Sequence, residues 1–122
     1  GLLTRRAKQD PPEQGGWSVV HTWGFGFELG SAISNYGLTT ACDRSGWPGW
    51  PCDEAMTKLR DDWAKEGDIT KRKAIGEAIQ QRAVEQAYFT PLGTFFQPMA
   101  YKKSLAGIVE VAIPVFWNVE KK

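Results

Sequence analysis

Apolar and polar positions alternate with helical spacing in only one part of this chain, and that part organises the rest. From Asp53 onward, Ala55 or Met56, Leu59 and Trp63 recur at intervals of three to four residues, while Lys58, Arg60, Asp61 and Asp62 occupy the polar face. Asp53 supplies an acidic N-cap, Glu54 adds negative charge to the first turn, and Gly67 is a natural stop. Asp68 then caps a second helical pattern reaching Gln86, with Ile75, Ala78, Ile79 and Ala83 as its buried stripe. The spacing predicts helices near 53–66 and 69–86, joined by a one- or two-residue link as an antiparallel hairpin. Gly76 inside the second helix predicts close packing at that point, because glycine there costs up to about 1 kcal/mol relative to alanine.

The flanking segments carry a different pattern. Residues 17–23 are β-branched and aromatic on both faces and read as a strand that is central or crosses between two bodies. Pro11, Pro12, Gly15 and Gly16 make the preceding stretch a loop. Gly24, Gly26 and Gly30 are interleaved with Phe25, Phe27 and Leu29, which suits a backbone approached closely by something else. The segment has neither the lysine nor the helix context of a phosphate loop. Residues 87–101 read as extended pieces broken at Pro91 and Pro98, and 102–107 as a turn. Residues 108–113 read as a weakly alternating strand, followed by an apolar tail through Val119.

Composition narrows the function. At 122 residues there is room for one compact domain, and 42% apolar residues is ordinary for a globular chain. A net charge of +1, with basic residues paired to acids along the helices, gives no field for nucleic acid or anionic lipid. No apolar run approaches the ~20 residues of a membrane span. Six Trp, six Phe and three Tyr exceed what one small core needs, so some rings are expected to face a ligand or another part of a larger protein. The chain starts at Gly1 with its first Met at position 56, consistent with a tag scar, a processing site or a cut through a longer protein, whereas Glu120-Lys121-Lys122 reads as a C-terminus.

Candidate chemistry is sparse. Cys42 and Cys52 enclose a nine-residue loop holding two prolines and two glycines, so the sulfurs can meet. The readings are a disulfide, two free thiols or half a metal site; the turn-rich loop favours the first. Such a bridge would contribute about 3 kcal/mol by the chain-entropy argument and points to an oxidising compartment. A zinc site would need more ligands than His21 and two widely spaced cysteines. His21 lies in the β-rich run without a spaced nucleophile and is better read as structural than as catalytic. No metal, cofactor or catalytic set is expected. Binding is favoured over catalysis.

In order along the chain, several pieces carry a family likeness. They are Arg5-Arg6-Ala7-Lys8 through Pro11-Pro12-Glu13-Gln14-Gly15-Gly16-Trp17, the Gly49-Trp50-Pro51-Cys52-Asp53 turn with Leu59-Arg60, and Arg72-Lys73-Ala74-Ile75. Pro91-Leu92-Gly93, Ala100-Tyr101, Leu105-Ala106-Gly107 and Phe116-Trp117-Asn118-Val119 complete the set. Together they resemble the C-terminal portion of the periplasmic solute-binding proteins of ABC transporters, in the dipeptide/oligopeptide-binding family (extracellular solute-binding protein family 5). The resemblance covers nearly the whole chain.

That resemblance implies a mixed α/β fragment of a two-lobed, type II periplasmic-binding-protein fold, with a helical hairpin packed on short strands. Residues 1–16 would end the preceding lobe, 17–23 would be the hinge-crossing strand, and 24–122 would belong to the C-terminal lobe. The whole protein would capture a peptide-like solute in the periplasm and deliver it to ABC permease subunits. In peptide-binding members a carboxylate after the hinge strand, beside an aromatic residue, holds the ligand's α-amino group. Glu28 is the nearest match, with Trp23 as its aromatic neighbour. The family residue is usually Asp, and the glycine-rich spacing fixes the match only to within one or two positions.

The candidate ligand-binding set is therefore Glu28, Trp23, Phe25 and Trp47. The alternative for Glu28 is an exposed carboxylate at a loop tip, and for Trp47 it is packing of the cysteine-closed loop. A structural interaction domain with an aromatic docking surface is the second functional reading, and a hydrolase using Glu28 and His21 the third. A chain separated from its remaining lobes is expected to self-associate through the apolar surface they would cover.

Overall fold

The computed structural model describes residues 1–122 as two compact units, residues 1–90 and residues 91–122. In the first unit, α1 (Leu2–Arg6) and α2 (Gly26–Leu29) are short. The helical hairpin of α3 (Glu54–Lys65) and α4 (Ile69–Gln86) dominates.

Both hairpin helices start where local chemistry demands. The Asp53 carboxylate accepts the N–H groups of Ala55 and Met56 at 3.0 and 3.1 Å, and Asp68 does the same for Thr70 and Lys71 at 2.9 Å. Each cap satisfies donors that the first helical turn leaves without partners. Helix α3 stops at an extended Glu66 rather than at a left-handed glycine. Arg72 fixes the link by donating from Nε to the Glu66 carbonyl at 2.8 Å, with its guanidinium 5.4 Å from the Trp63 ring centre. Helix α4 ends at Ala87 in the left-handed conformation, φ 49 and ψ 46.

Met56, Ile79 and Leu38 form the buried core, with Leu59, Trp63, Ile75 and Ala83 packed around them. Two details depart from the sequence reading. Ala78 is exposed, because the α4 stripe turns toward α3 at 75, 79 and 83 rather than at 78. Arg60, assigned to the polar face, is half-buried and donates to the carbonyls of Ala32 and Ile33 at 2.8 and 2.9 Å. Gly76 faces Trp63 as expected, but a Cβ there would meet the indole at 3.6 Å, an ordinary van der Waals contact.

Residues 17–23 do not form a strand; they run irregularly. A β-rich sequence becomes a strand only when a neighbour offers a ladder of backbone groups, and no strand in this unit does.

The second unit is built on an antiparallel pair, β1 (Leu105–Ala106) and β2 (Glu120–Lys121), in register Leu105 with Lys121 and Ala106 with Glu120. Lys122 extends it by donating to the Ser104 carbonyl at 2.8 Å. Gly107 is required: its φ is 71, and a Cβ would collide with the Asn118 carbonyl. Residues 108–113, read as a strand, are irregular, because the ladder closes instead between 105–106 and 120–121. The mixture of helices with a small antiparallel sheet agrees with the α/β fragment expected. No helix is long and apolar enough to cross a membrane.

Candidate functional site

The candidate residues gather around one loop. Arg60 pins residues 32–33 from α3, while the Asn35 side chain accepts the Gly37 N–H at 3.0 Å. Leu38 enters the core and fixes the far end. Between these anchors the loop presents Tyr36, whose ring stacks on Trp47 at 3.9 Å between centroids and whose hydroxyl donates to the Trp23 carbonyl at 3.3 Å. Gly24 lies against that hydroxyl, so any Cβ there would collide with it. This is the close approach expected of the glycine-rich segment; Gly26, by contrast, has open space around it.

The aromatic face continues from there. Trp23 meets Phe25 edge-on at 5.2 Å and 88°, and Phe25 stacks on Phe27 at 5.4 Å and 11°. Trp23 and Phe27 remain 55% and 59% exposed. Glu28 is half-buried, and its Oε2 accepts the Phe25 N–H at 2.9 Å, bending the carboxylate back over the start of α2. The Tyr36 phenol has its pKa raised, first by burial and then by the negative charge of Glu28, with Arg6 pulling the other way. Glu28 and Arg6 therefore both act on the hydroxyl that ties Tyr36 to Trp23.

Sequence reasoning named Trp23, Phe25, Glu28 and Trp47. The first three lie together on one short segment, and Trp47 joins them through Tyr36. Tyr36 and Arg6 were not anticipated. The guanidinium of Arg6 sits 4.6 Å from the Trp47 ring centre, an arrangement favourable to a cation over an indole face. Nothing in residue spacing pairs positions 6, 36 and 47; the turn-rich loop between the cysteines was the only signal that Trp47 is held in place. His21 is exposed.

Cys42 and Cys52 are joined by a disulfide. Inside the loop it closes, Trp50 packs on Trp17 at 6.0 Å, and Trp17 Nε1 donates to the Arg6 carbonyl at 3.0 Å. Below the loop, Asp53 accepts from Arg82 at both oxygens, 2.7 Å from Nε and 2.8 Å from the guanidinium NH2, and from the Tyr88 hydroxyl. The Arg82 hydrogen bonds hold the Asp53 carboxyl well below the usual carboxylate range. Burial, reinforced by Asp53, pushes Tyr88 up to about 12. These shifts belong to a structural ion pair that couples the two helices. No group of three or more His, Cys, Asp or Glu side chains is placed to hold a metal ion.

Over 121 residues, 99% of its length, the chain is 30% identical to a probable peptide ABC transporter periplasmic-binding protein of Sinorhizobium fredii. It spans 23% of that relative's length. No protein-family model matches the chain, and no solved structure does. The resemblance agrees with this comparison: over nearly its whole length the chain is similar to a portion of a protein named as a probable periplasmic-binding protein of a peptide ABC transporter.

Proposed function

We propose that this chain is the C-terminal portion of the substrate-binding component of an ABC importer, which captures a peptide-like solute in the periplasm for delivery to the permease. The observation that carries the reading is the 30% identity over 99% of the chain to a protein named as a peptide ABC transporter periplasmic-binding protein. In this reading residues 17–23 cross the hinge, 24–122 belong to the C-terminal lobe, and the remaining lobes of the receptor complete the cleft. The component performs no chemistry of its own.

The ligand face in this proposal is Trp23 and Phe25, with Glu28 as the charged contact and Trp47 supporting from behind Tyr36. Glu28 suits the role because it is half-buried beside aromatic rings, with one carboxylate oxygen held in place by the Phe25 N–H. A carboxylate fixed beside aromatic walls pairs strongly with an ammonium group once water is excluded. The test is calorimetry of the full-length receptor against a peptide panel, comparing Glu28 with Glu28→Gln. Affinity is expected to fall at least tenfold, the equivalent of about 1.4 kcal/mol; unchanged affinity removes Glu28 from the site.

A second reading, an interaction domain with an aromatic docking surface, is favoured by the exposure of Phe96 and Trp117 at 102% and 86%. It predicts no heat with any peptide and binding to a protein partner instead. Hydrolysis of a peptide on long incubation would revive the pairing of Glu28 with His21; recovery of the intact peptide is expected.

A further inference from the structure

The loop between Cys42 and Cys52 is held in a conformation its residues do not favour. Arg44 and Trp50 have φ of 62 and 43, in the left-handed region, alongside Gly49 at 113. A side chain with a Cβ adopts that region at a cost and keeps it only where the surroundings enforce it. The same loop carries two half-buried rings. Trp47 stacks on Tyr36 and lies under Arg6, while Trp50 packs on Trp17.

The base of the loop is tied independently of the sulfurs. Asp53 N–H donates to the Thr40 carbonyl at 3.0 Å, the Thr40 hydroxyl donates to the Asp53 carbonyl at 2.9 Å, and Asp53 is gripped by Arg82. The hairpin core of Met56, Ile79 and Leu38 contains neither cysteine. Both cysteines are exposed, so a dithiol can reach the bond.

We propose that the Cys42–Cys52 disulfide is a redox-sensitive clasp. Oxidised, it enforces the loop conformation that seats Trp47 on Tyr36 and Trp50 on Trp17; reduced, it frees both rings while the helical hairpin stays folded. A thiolate of a small dithiol attacks one sulfur and forms a mixed disulfide as the other cysteine leaves as thiolate. The second thiol of the reagent then displaces the first cysteine. Two electrons pass to the protein, both cysteines end as thiols, and the reagent ends as its cyclic disulfide. Loss of the Trp47 stack releases Tyr36, and with it the tie to the Trp23 carbonyl.

The inference stands apart from the solute-binding reading, because its readouts need no ligand. The full chain is treated with dithiothreitol and followed by thiol titration, near-ultraviolet circular dichroism, acrylamide quenching of tryptophan and the far-ultraviolet helix signal. Reduction is expected to expose two thiols, diminish the near-ultraviolet tryptophan signal and raise quenching, with the helix signal preserved. The same reduction of a Trp47→Phe/Trp50→Phe variant should move both tryptophan readouts less than in the native chain, which assigns the difference to those rings. The clasp is overturned if the thiols appear and the tryptophan signals stay. It is equally overturned if the helix signal is lost with them, or if the bond resists the dithiol in the folded chain.

Discussion

Arg82 grips Asp53 at two points, with Nε 2.7 Å from Oδ2 and the guanidinium NH2 2.8 Å from Oδ1. One carboxylate thus caps α3 and holds α4 beside it. Planar guanidinium and carboxylate groups match in this geometry, and lysine cannot reproduce it. Arg82→Lys is therefore expected to lower the melting temperature. Asp53→Asn keeps a capping oxygen and loses the charge, whereas Asp53→Ala loses the cap as well and is expected to be about 1 kcal/mol worse. Denaturant titration of the three variants checks the order; equal stability of Asn and Ala at position 53 would remove the capping role.

The same pair sets an acid dependence. The folded Asp53 carboxyl titrates well below the ordinary value near ~4 that it has in the unfolded chain. Its contribution to stability is therefore complete above that value and declines as pH falls below it, when the unfolded state takes up the proton first. Melting temperature should drop through this acid window in the native chain, and the drop should be smaller in Asp53→Asn. Parallel curves for the two proteins would show that other carboxylates set the acid limit.

Gly76→Ala is expected to stabilise the hairpin. The added Cβ would meet the Trp63 indole at 3.6 Å, an ordinary contact, and the helix would gain about 1 kcal/mol in propensity. A raised denaturation midpoint with unchanged slope is the expected result. A lowered midpoint would mean that α3 and α4 approach more closely than this contact implies.

Ala87→Gly acts at the other end of α4. Ala87 adopts φ 49 and ψ 46, a conformation that costs an alanine about 1 kcal/mol and a glycine almost nothing. The variant should be more stable, although glycine's greater freedom in the unfolded chain offsets part of the gain. Ala87→Val, with a β-branched side chain in the same place, should move stability the other way.

The hairpin was legible in the sequence because its signals are local: an Asp before each helix, and apolar residues three and four apart. The disulfide was legible for a similar reason, since prolines and glycines bring the loop's ends together. What failed to show was non-local. Residues 17–23 and 108–113 have strand-forming side chains, yet a ladder depends on a partner whose position no local pattern records. Arg60 sits among Lys58, Asp61 and Asp62 and so reads as solvated, but its partners Ala32 and Ile33 lie 28 and 27 residues away. In the candidate site, Trp23, Phe25 and Glu28 share one short segment and so were named together. Tyr36 was missed, because its place depends on where Trp47 is carried by the cysteine-closed loop.

The second unit gives the last expectation. Leu92, Phe96, Phe116 and Trp117 are all exposed in residues 91–122, where the only regular structure is a pair of two-residue strands. Large exposed apolar side chains in such number tend to be covered by a partner, and short unprotected strand edges accept further strands. We therefore expect the isolated chain to self-associate, with a mass in light scattering that rises with concentration. Phe96→Ser combined with Trp117→Ser should shift the association to higher concentration while leaving the hairpin's helix signal intact, because neither residue belongs to the core of Leu38, Met56 and Ile79. A monomer at every concentration would remove the proposal; association unchanged by the two substitutions would move the contact to the first unit, where Trp23, Phe27 and Phe89 are exposed rings.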